Sequence, residues 1–430
     1  MPLPIGKPIS TTPVLPSYGG LRPVIFGVMF AILLSPDSVL VLCFGLTGSS
    51  GNSFVTGALL TVSTVAVGLL CFRLDVVLRP VDYLFFALTV CMMSSFVFNG
   101  WTSTSREYEL LVLSLAAYPV CRFVSRADMF SGLSSFIFTT CLIVLLGTIA
   151  TSVALWQQWD DQHGKPFVFG FDAAGTYFLG SLGFLVIALV TAGRLTMRRT
   201  ALVSALIFLP TAVFAASLVR FTFIALAGSL GLATILSEAK QRKHVVAVAL
   251  VLLVAIAAGL LARYDQARLY ADYAMEQPSG FVGSEKPPSC YLKINLRNSI
   301  AIRKVLVQDA IFLIPNAGWI GTGLDSFMKF SCIRMTEIHN SILQAAVEFG
   351  WLGGSLLLTI VIVAVGSIFP LARQDDAARF VLCSLAFVVL LSLAHGRISR
   401  DGLLFALLGC AVSLRETSRA PASATSAAVA

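Results

Sequence analysis

Apolar runs of about 20 residues, separated by short polar connections, dominate this chain. A helix of that length crosses the roughly 30 Å of hydrocarbon in a bilayer. Of the 430 residues, 57% are hydrophobic and 12% are charged, whereas about a quarter of the residues in soluble domains are charged. This composition excludes an ordinary soluble globule and predicts an all-α, polytopic membrane protein. The first 20 residues are rich in Pro, Ser and Gly without an apolar centre, so no cleavable signal is expected.

Hydropathy predicts about 12 transmembrane helices. Their approximate limits are 23–44, 54–72, 81–99, 108–124, 132–155, 173–192, 201–217, 221–237, 245–262, 342–369, 380–395 and 402–414. Ser35-Pro36-Asp37 interrupts the first span and predicts a kink there. The resulting domain plan has five parts: a cytoplasmic segment 1–22, helices one to nine in 23–262, a connection 263–341, helices ten to twelve in 342–414, and a disordered Ala/Ser-rich cytoplasmic tail 415–430.

The distribution of Lys and Arg predicts the orientation. With the N-terminus inside, sixteen basic residues lie on the cytoplasmic side and five lie in the short outer connections. Because cytoplasmic connections are enriched in basic residues, both termini are expected in the cytoplasm. The connection 263–341 then faces outward, into the periplasm of a Gram-negative cell. Long loops are exempt from this rule, so the nine basic residues there are no contradiction.

Two features of the long connection carry structural predictions. Residues 297–314 (RNSIAIRKVLVQDAIFLI) predict an amphipathic helix on the membrane surface, ended by Pro315. Cys290 and Cys332 are the only two cysteines of the connection. Because the periplasm is oxidising, a disulfide between them is one interpretation, and two unpaired thiols are the other.

The stretch from Pro315 to Gly354 (PNAGWIGTGLDSFMKFSCIRMTEIHNSILQAAVEFGWLGG) passes from a Gly-punctuated loop into an apolar helix. Asn340 is a good helix N-cap, so His339 is expected on or just before the first turn. The positive end of the helix dipole disfavours a second proton on an imidazole there. A neutral imidazole at a membrane boundary can act as a general base. The alternative is a histidine that only ends a loop.

The order of residues in this stretch resembles the O-antigen ligase and polymerase superfamily. The resemblance rests on Gly321, Gly323, Phe327, His339, Asn340, Leu343, Gln344, Glu348, Gly350 and Gly353. It implies a helical bundle with a helical periplasmic lid, and glycosyl transfer from an undecaprenyl-diphosphate donor to a sugar hydroxyl of the lipid A-core. In that interpretation His339 is the general base, Asn340 and Glu337 support it, and no cofactor is needed.

Arginines are the candidates for binding the diphosphate, because guanidinium donates paired hydrogen bonds and stays charged. Arg220 lies in a turn between two spans, where the superfamily places an arginine after Ser or Thr, but Val219 precedes it here. The superfamily also has an arginine before the proline of the motif, and either Arg297 or Arg303 matches it. Arg263 is a further candidate. The alternatives are snorkelling to lipid headgroups for Arg220 and a solvated helix face for Arg297 and Arg303.

Other chemistries find little support in the sequence. Asp160 and Asp161, beside His163, are the only candidate metal pair and lack further ligands at suitable spacing. No Walker loop is present, so the substrate is expected to arrive activated. The basic residues are dispersed, which argues against nucleic acid and leaves membrane lipids and an anionic substrate as partners.

O-antigen polymerase is the alternative function within the superfamily. A lipid-linked sugar transporter is a third, disfavoured because no internal repeat is evident.

Overall fold

A computed structural model describes residues 20–45, 52–73, 76–159, 165–171, 174–275, 279–280, 285–295, 298–333 and 336–417. Within these ranges the regular structure is helical, and β-pairing is limited to two isolated bridges, Val168–Phe171 and Ser279–Lys293. The prediction of an all-α, polytopic membrane protein is confirmed.

The α-helices follow one another with short connections up to Ala262. They are α1 (Leu21–Leu34), α2 (Pro36–Phe44), α3 (Asn52–Leu70), α4 (Pro80–Asn99), α5 (Ser105–Cys121), α6 (Arg126–Gln157), α7 (Ala174–Thr191), α8 (Met197–Ala216), α9 (Phe221–Leu236) and α10 (Ala239–Ala262).

The second part of the chain holds the long connection and the last helices. These are α11 (Tyr264–Met275), α12 (Ser299–Ala317), α13 (Phe327–Phe330), α14 (Ser341–Glu348), α15 (Gly350–Ala372), α16 (Asp376–Ala394) and α17 (Gly402–Thr417), with 3₁₀ turns at Pro288–Cys290 and Ile398–Arg400.

Seven of the described helices are long and apolar enough to cross a membrane, namely α4, α6, α7, α8, α10, α15 and α16. The bent pair α1–α2 becomes an eighth if it forms one span, and α3 and α9 are shorter apolar helices. Every predicted span contains a helix, but length and apolarity do not establish 12 crossings. The number of spans and the outward-facing loop therefore stay predictions.

The first predicted span is broken rather than mildly kinked. The axes of α1 and α2 differ by 93°. Pro36 is the first residue of α2, and Ser35 has a non-helical conformation (φ −136°, ψ 44°). A proline lacks the amide hydrogen and disfavours helical geometry in the preceding residue, so the break occurs where the sequence predicts it.

The predicted span 342–369 is wrong at its beginning. An eight-residue helix, α14, ends at Glu348, and the membrane helix α15 begins at Gly350. Gly350 has a positive φ of 79°, and a Cβ there would lie 2.3 Å from the Trp319 carbonyl oxygen. The close approach of the backbone at Trp319 therefore accompanies the break between α14 and α15. The His339-Asn340 pair precedes a short helix above α15 and not the membrane helix itself.

The helix of the long connection also differs from its prediction. It runs from Ser299 to Ala317, so Pro315 lies inside its last turn, and the positive φ of Gly318 ends it. The φ that proline imposes is compatible with a helix, so the last turn continues through Pro315 with the loss of one backbone hydrogen bond. The apolar face, expected on the membrane surface, instead packs on protein. Its contacts are in a core cluster of Val305, Leu306, Ala310, Phe327, Ile333, Ile338 and Val347.

The charged residues collect at the two ends of the bundle. On the end predicted to be cytoplasmic, the ion pairs are Arg22–Asp128, Arg122–Asp82, Arg122–Glu416, Arg126–Asp375 and Arg379–Asp376. On the opposite end they are Arg397–Glu107, Arg397–Asp325, Arg397–Glu337 and Arg400–Glu107. Each of these ion pairs joins two residues that the predicted topology assigns to the same side of the membrane. The pairs therefore agree with helices that cross in alternating directions.

Candidate active site

A cavity of about 620 Å³ opens at the second of these two ends. Its volume is within the range of small-molecule binding sites. Apolar side chains from the helices line it together with ionisable side chains from helix ends, the long connection and the connection between α16 and α17. The apolar lining includes Leu33, Leu40, Leu60, Leu110, Val388, Leu391 and Leu403, and the polar lining includes Asp37, Arg106, Glu337, His339, His395, Arg397, Arg400 and Asp401.

His339 occupies the position that the N-cap prediction gives it. The Asn340 side chain accepts hydrogen bonds from the amides of Ile342 (3.1 Å) and Leu343 (3.0 Å), the first residues of α14. The Asn340 amide also donates to the Leu393 carbonyl at 3.0 Å, which ties the cap to the end of α16. His339 has a left-handed backbone (φ 55°), a conformation in which histidine is enriched. The prediction that His339 lies just before the first turn is confirmed.

The His339 imidazole is neutral at pH 7, as predicted. Burial is the main cause, and the positive charges of Arg303 and Arg397 add to it, so the pKa falls to about 4. The position at a helix N-terminus predicts a neutral ring through the helix dipole. In the structure, burial and two arginines from distant parts of the chain supply it.

Arg220 and Arg303 are neighbouring cations beside the cavity. Arg303 Nη2 lies 3.2 Å from Nδ1 of His395. Arg220 Nη1 donates to the Tyr270 carbonyl at 3.2 Å, and its guanidinium lies 4.2 Å from the centre of the Tyr270 ring. Burial lowers the pKa of Arg303, and the charge of Arg220 lowers it further. Among the described residues, no carboxylate forms an ion pair with either arginine, so this positive charge is uncompensated.

Arg397 differs because acidic partners surround it. It pairs with Glu107 at 3.2 Å, with Asp325 at 2.9 Å and with Glu337. Arg400 pairs with the same Glu107 at 2.6 Å. These ion pairs join α5, the 325–337 loop and the segment before α17. Glu337, which the sequence predicts to support His339, forms an ion pair with Arg397 and so links its loop to the segment before α17. Burial raises the pKa of the Glu337 carboxyl.

Of the other two predicted arginines, one lies away from this cluster and the other falls outside the described residues. Arg263 is 4% exposed and donates from Nη1 to the Ala216 carbonyl at 3.3 Å, where α8 ends. It does not line the cavity. Arg297 lies outside the described residues, and so do Asp160, Asp161 and His163. Of the two arginines that precede the motif proline, the structure places Arg303 beside the site.

The glycines of the motif allow two backbone segments to touch. A Cβ on Gly321 would lie 2.3 Å from the Glu348 carbonyl oxygen, and Gly321 has a φ of 79°. The Gly323 amide donates to that same carbonyl at 2.9 Å. The G-x-G loop therefore packs on the junction of α14 and α15, next to Gly350. This contact fixes α14, and with it the position of His339.

Gln344 and Glu348 connect α14 to the segment before α17. The Gln344 amide donates to the Glu348 carboxyl at 2.9 Å. The Gln344 side-chain oxygen accepts from the Ile398 amide, also at 2.9 Å. The polar residues of the motif thus hold His339 against the segment that carries His395 and Arg397.

The predicted disulfide between Cys290 and Cys332 is confirmed, with Cα atoms 5.1 Å apart. Behind it, the buried Asp309 of α12 accepts hydrogen bonds from the Ser289 amide (2.9 Å) and the Ser331 hydroxyl (2.8 Å). The disulfide and Asp309 together fasten the approach to His339 onto α12.

Sequence reasoning missed six ionisable residues of the cavity, namely Asp37, Arg106, His395, Arg397, Arg400 and Asp401. The last four lie in HGRISRDG, a short connection between α16 and α17. Basic residues are disfavoured in short outer connections, so one histidine and two arginines within six positions were a usable signal. Asp37 lies at the break in the first span, where an ionisable residue among apolar ones was a second signal.

The fold and the site define a polytopic helical membrane protein with a cavity at one end that is lined by apolar and ionisable side chains. Residues 205–358 match the family model described as O-antigen ligase (Wzy_C). The matched region holds Arg220, Arg303 and His339, and it confirms the resemblance to the O-antigen ligase superfamily. No curated protein and no solved structure matched the chain.

Proposed function

We propose that this protein is an O-antigen ligase of the bacterial inner membrane, with its active site facing the periplasm. It moves a glycan from undecaprenyl diphosphate to a sugar hydroxyl of the lipid A-core. The observation that carries the proposal is the pair Arg220 and Arg303, which lacks acidic partners in the described structure and lies beside the neutral His339. A diphosphate supplies the negative charge that this pair lacks.

The reaction is a direct displacement. The acceptor oxygen forms a bond to the anomeric carbon while the bond from that carbon to the diphosphate oxygen breaks, so the configuration inverts. The electron pair leaves with undecaprenyl diphosphate, whose developing charge Arg220 and Arg303 stabilise. The proton of the acceptor hydroxyl passes to His339. No metal ion or nucleotide takes part in this scheme.

The positions of the residues support a coupling between the donor and the base. A free imidazole with a pKa of about 4 is a weak base. Arg303 is one cause of that low value, and a bound diphosphate offsets the charge of Arg303. Donor binding therefore raises the basicity of His339 toward its ordinary range. The base becomes effective when the sugar to be transferred is in place.

The apolar part of the cavity is suited to the lipid portion of a substrate. Leucines from α1, α2, α3 and α5 form part of the cavity lining. This arrangement allows a polyprenyl chain to lie among helices while its diphosphate reaches the arginines.

Gene deletion and complementation test the proposal. A strain without the protein is expected to accumulate lipid-linked polymer and to carry unmodified core. Complementation with His339→Ala, at wild-type protein level, is expected to leave transfer reduced by about 10²–10⁴-fold, the loss typical of a general base. Near-normal transfer by His339→Ala would exclude the proposed base.

The same experiment separates the alternative functions. A core that bears a single repeat unit in the deletion strain would identify an O-antigen polymerase, whose acceptor is another lipid-linked glycan. Loss of all periplasmic lipid-linked sugar would identify a transporter. Arg220→Lys is expected to rescue poorly if Arg220 binds diphosphate, because an ammonium cannot reproduce the two-pronged contact. Full activity of Arg220→Lys would indicate snorkelling instead.

A further inference from the structure

The segment between α16 and α17 places a second histidine at the site, and nothing in the motif accounts for it. His395 follows the last residue of α16 and lines the cavity that also holds His339. Its ring packs edge-on against Phe221, with ring centres 5.6 Å apart. The ring is therefore held in one orientation between α9 and the cavity.

The contact with Arg303 determines which ring nitrogen of His395 carries the hydrogen. Arginine is always a donor, so Nδ1, 3.2 Å from Arg303 Nη2, must be the acceptor. A neutral ring then carries its hydrogen on Nε2. Burial and the neighbouring positive charges lower the pKa of His395 to about 3, which keeps the ring neutral.

The Nε2–H group of His395 is left as a donor beside the arginine pair. The described residues form no hydrogen bond to Nε2, since the ring contacts of His395 are those with Arg303 and Phe221. Partly buried donors in proteins are normally satisfied by protein, water or ligand. An acceptor at this place would be an oxygen of the anion that Arg303 binds.

We propose that His395 is a diphosphate-binding residue, whose Nε2–H group donates a hydrogen bond to a phosphate oxygen of the donor beside Arg303. The inference rests on the proposed function and adds a neutral donor to the two arginines. A neutral donor stabilises the charge that develops on the leaving group without adding a third buried cation next to Arg220 and Arg303.

Two substitutions separate the roles of the two ring nitrogens. Asparagine places an acceptor near Nδ1 and lacks a donor at Nε2, so His395→Asn keeps the contact to Arg303 only. Glutamine places an amide donor near Nε2, so His395→Gln keeps the proposed donor only. His244→Asn is the matched control, because His244 bonds to Thr200 (3.0 Å) at the opposite end of the bundle.

The measurement is the Kd of geranylgeranyl diphosphate for the full-length protein in detergent, by calorimetry. His395→Asn is expected to bind about 10-fold to 100-fold more weakly than wild type, the loss of one hydrogen bond to a charged group. His395→Gln is expected to remain within about threefold of wild type, because it keeps the proposed bond to the phosphate and loses only the contact to Arg303. His244→Asn is expected to remain in the same range, because His244 lies at the opposite end of the bundle. Wild-type affinity in His395→Asn, with weaker binding in His395→Gln, would overturn the proposal and leave a positioning role through Arg303.

A second readout applies even where a variant is unstable. In ¹⁵N-histidine-labelled wild-type protein, NMR is expected to show His395 with its hydrogen on Nε2, and that resonance is expected to shift when inorganic pyrophosphate is added. A hydrogen on Nδ1 would overturn the proposal. If Arg303→Ala loses the diphosphate while His395→Asn binds as wild type, only this inference fails. If the wild-type protein itself binds no diphosphate, the proposed donor fails with it.

Discussion

The low pKa of His339 allows one charge substitution to test both the proposed base and its proposed coupling to a bound diphosphate. Arg303→Gln removes a positive charge that lowers this pKa and keeps a polar side chain of similar length. The pKa is about 4, compared with an ordinary value of 6.5, and burial, Arg303 and Arg397 cause the difference in that order. As the second of three causes, Arg303 accounts for at most half of it. The pKa in Arg303→Gln is therefore expected to rise to no more than about 5.

The sign of the effect follows from the role of the base. A general base acts when deprotonated, so kcat/KM falls as the pH drops through the pKa of the free enzyme. The acid limb is expected near pH 4 in the wild type and closer to pH 5 in Arg303→Gln. At pH 7 His339 is deprotonated in both, so any loss of activity there reports weaker binding of the diphosphate or weaker stabilisation of its developing charge. The two contributions of Arg303 can therefore be measured separately.

The assay is the pH dependence of kcat/KM for purified enzyme with a lipid-diphosphate-linked glycan. Lys304→Gln is the matched control, because Lys304 is the next residue of α12 and is exposed. Its acid limb is expected to stay near that of the wild type. Glu337 and Asp401 also titrate near the cavity, so the limb must persist in Glu337→Gln and Asp401→Asn. An acid limb in Arg303→Gln at or below the wild-type pH would refute the coupling.

Three further predictions concern the structure and the metal requirement. Cys290 and Cys332 are expected to resist alkylation in denatured, non-reduced protein, and alkylation of both without reductant would show that they are unpaired. Loss of the disulfide is expected to lower the free energy of unfolding by about 4 kcal/mol in the chain-entropy account. Gly350→Ala is expected to lower the melting temperature, because φ is 79° and the new methyl group would lie 2.3 Å from a carbonyl oxygen, whereas Gly366→Ala in the same helix, with no atom within 4 Å, is expected to be neutral. Glycan transfer is expected to survive EDTA, and loss that Mg²⁺ restores would contradict the metal-independent scheme.

Local patterns allowed the helices and their caps to be predicted. Apolar runs positioned the helices, Pro36 marked the break in the first span, and Asn340 marked the start of α14. The disulfide was predictable as a pair because only Cys290 and Cys332 lie in the long connection. In each case the physical cause lies within a few residues or follows from the compartment.

The errors have tertiary causes. The apolar sequence continues from α14 into α15, and only the approach of the 318–323 loop requires the break at Gly350. The environment of His339 could not be predicted from the sequence either. Its low pKa depends on Arg303 and Arg397, which lie 36 residues before and 58 residues after it in the chain. Sequence spacing alone gives no sign that these residues meet.

The arginines of the site divide into two kinds, those matched by carboxylates and those without such partners among the described residues. Arg397 is matched by three carboxylates, so its charge is balanced within the protein and its ion pairs link three parts of the chain. Arg220 and Arg303 lack such partners in the described structure and repel each other. A bound diphosphate, as proposed above, would reduce this repulsion. In the proposed reaction, the positive charge of Arg303 binds the donor and also keeps His339 weakly basic. The bound diphosphate then offsets the charge of Arg303. Binding and activation of the base then depend on one group, Arg303.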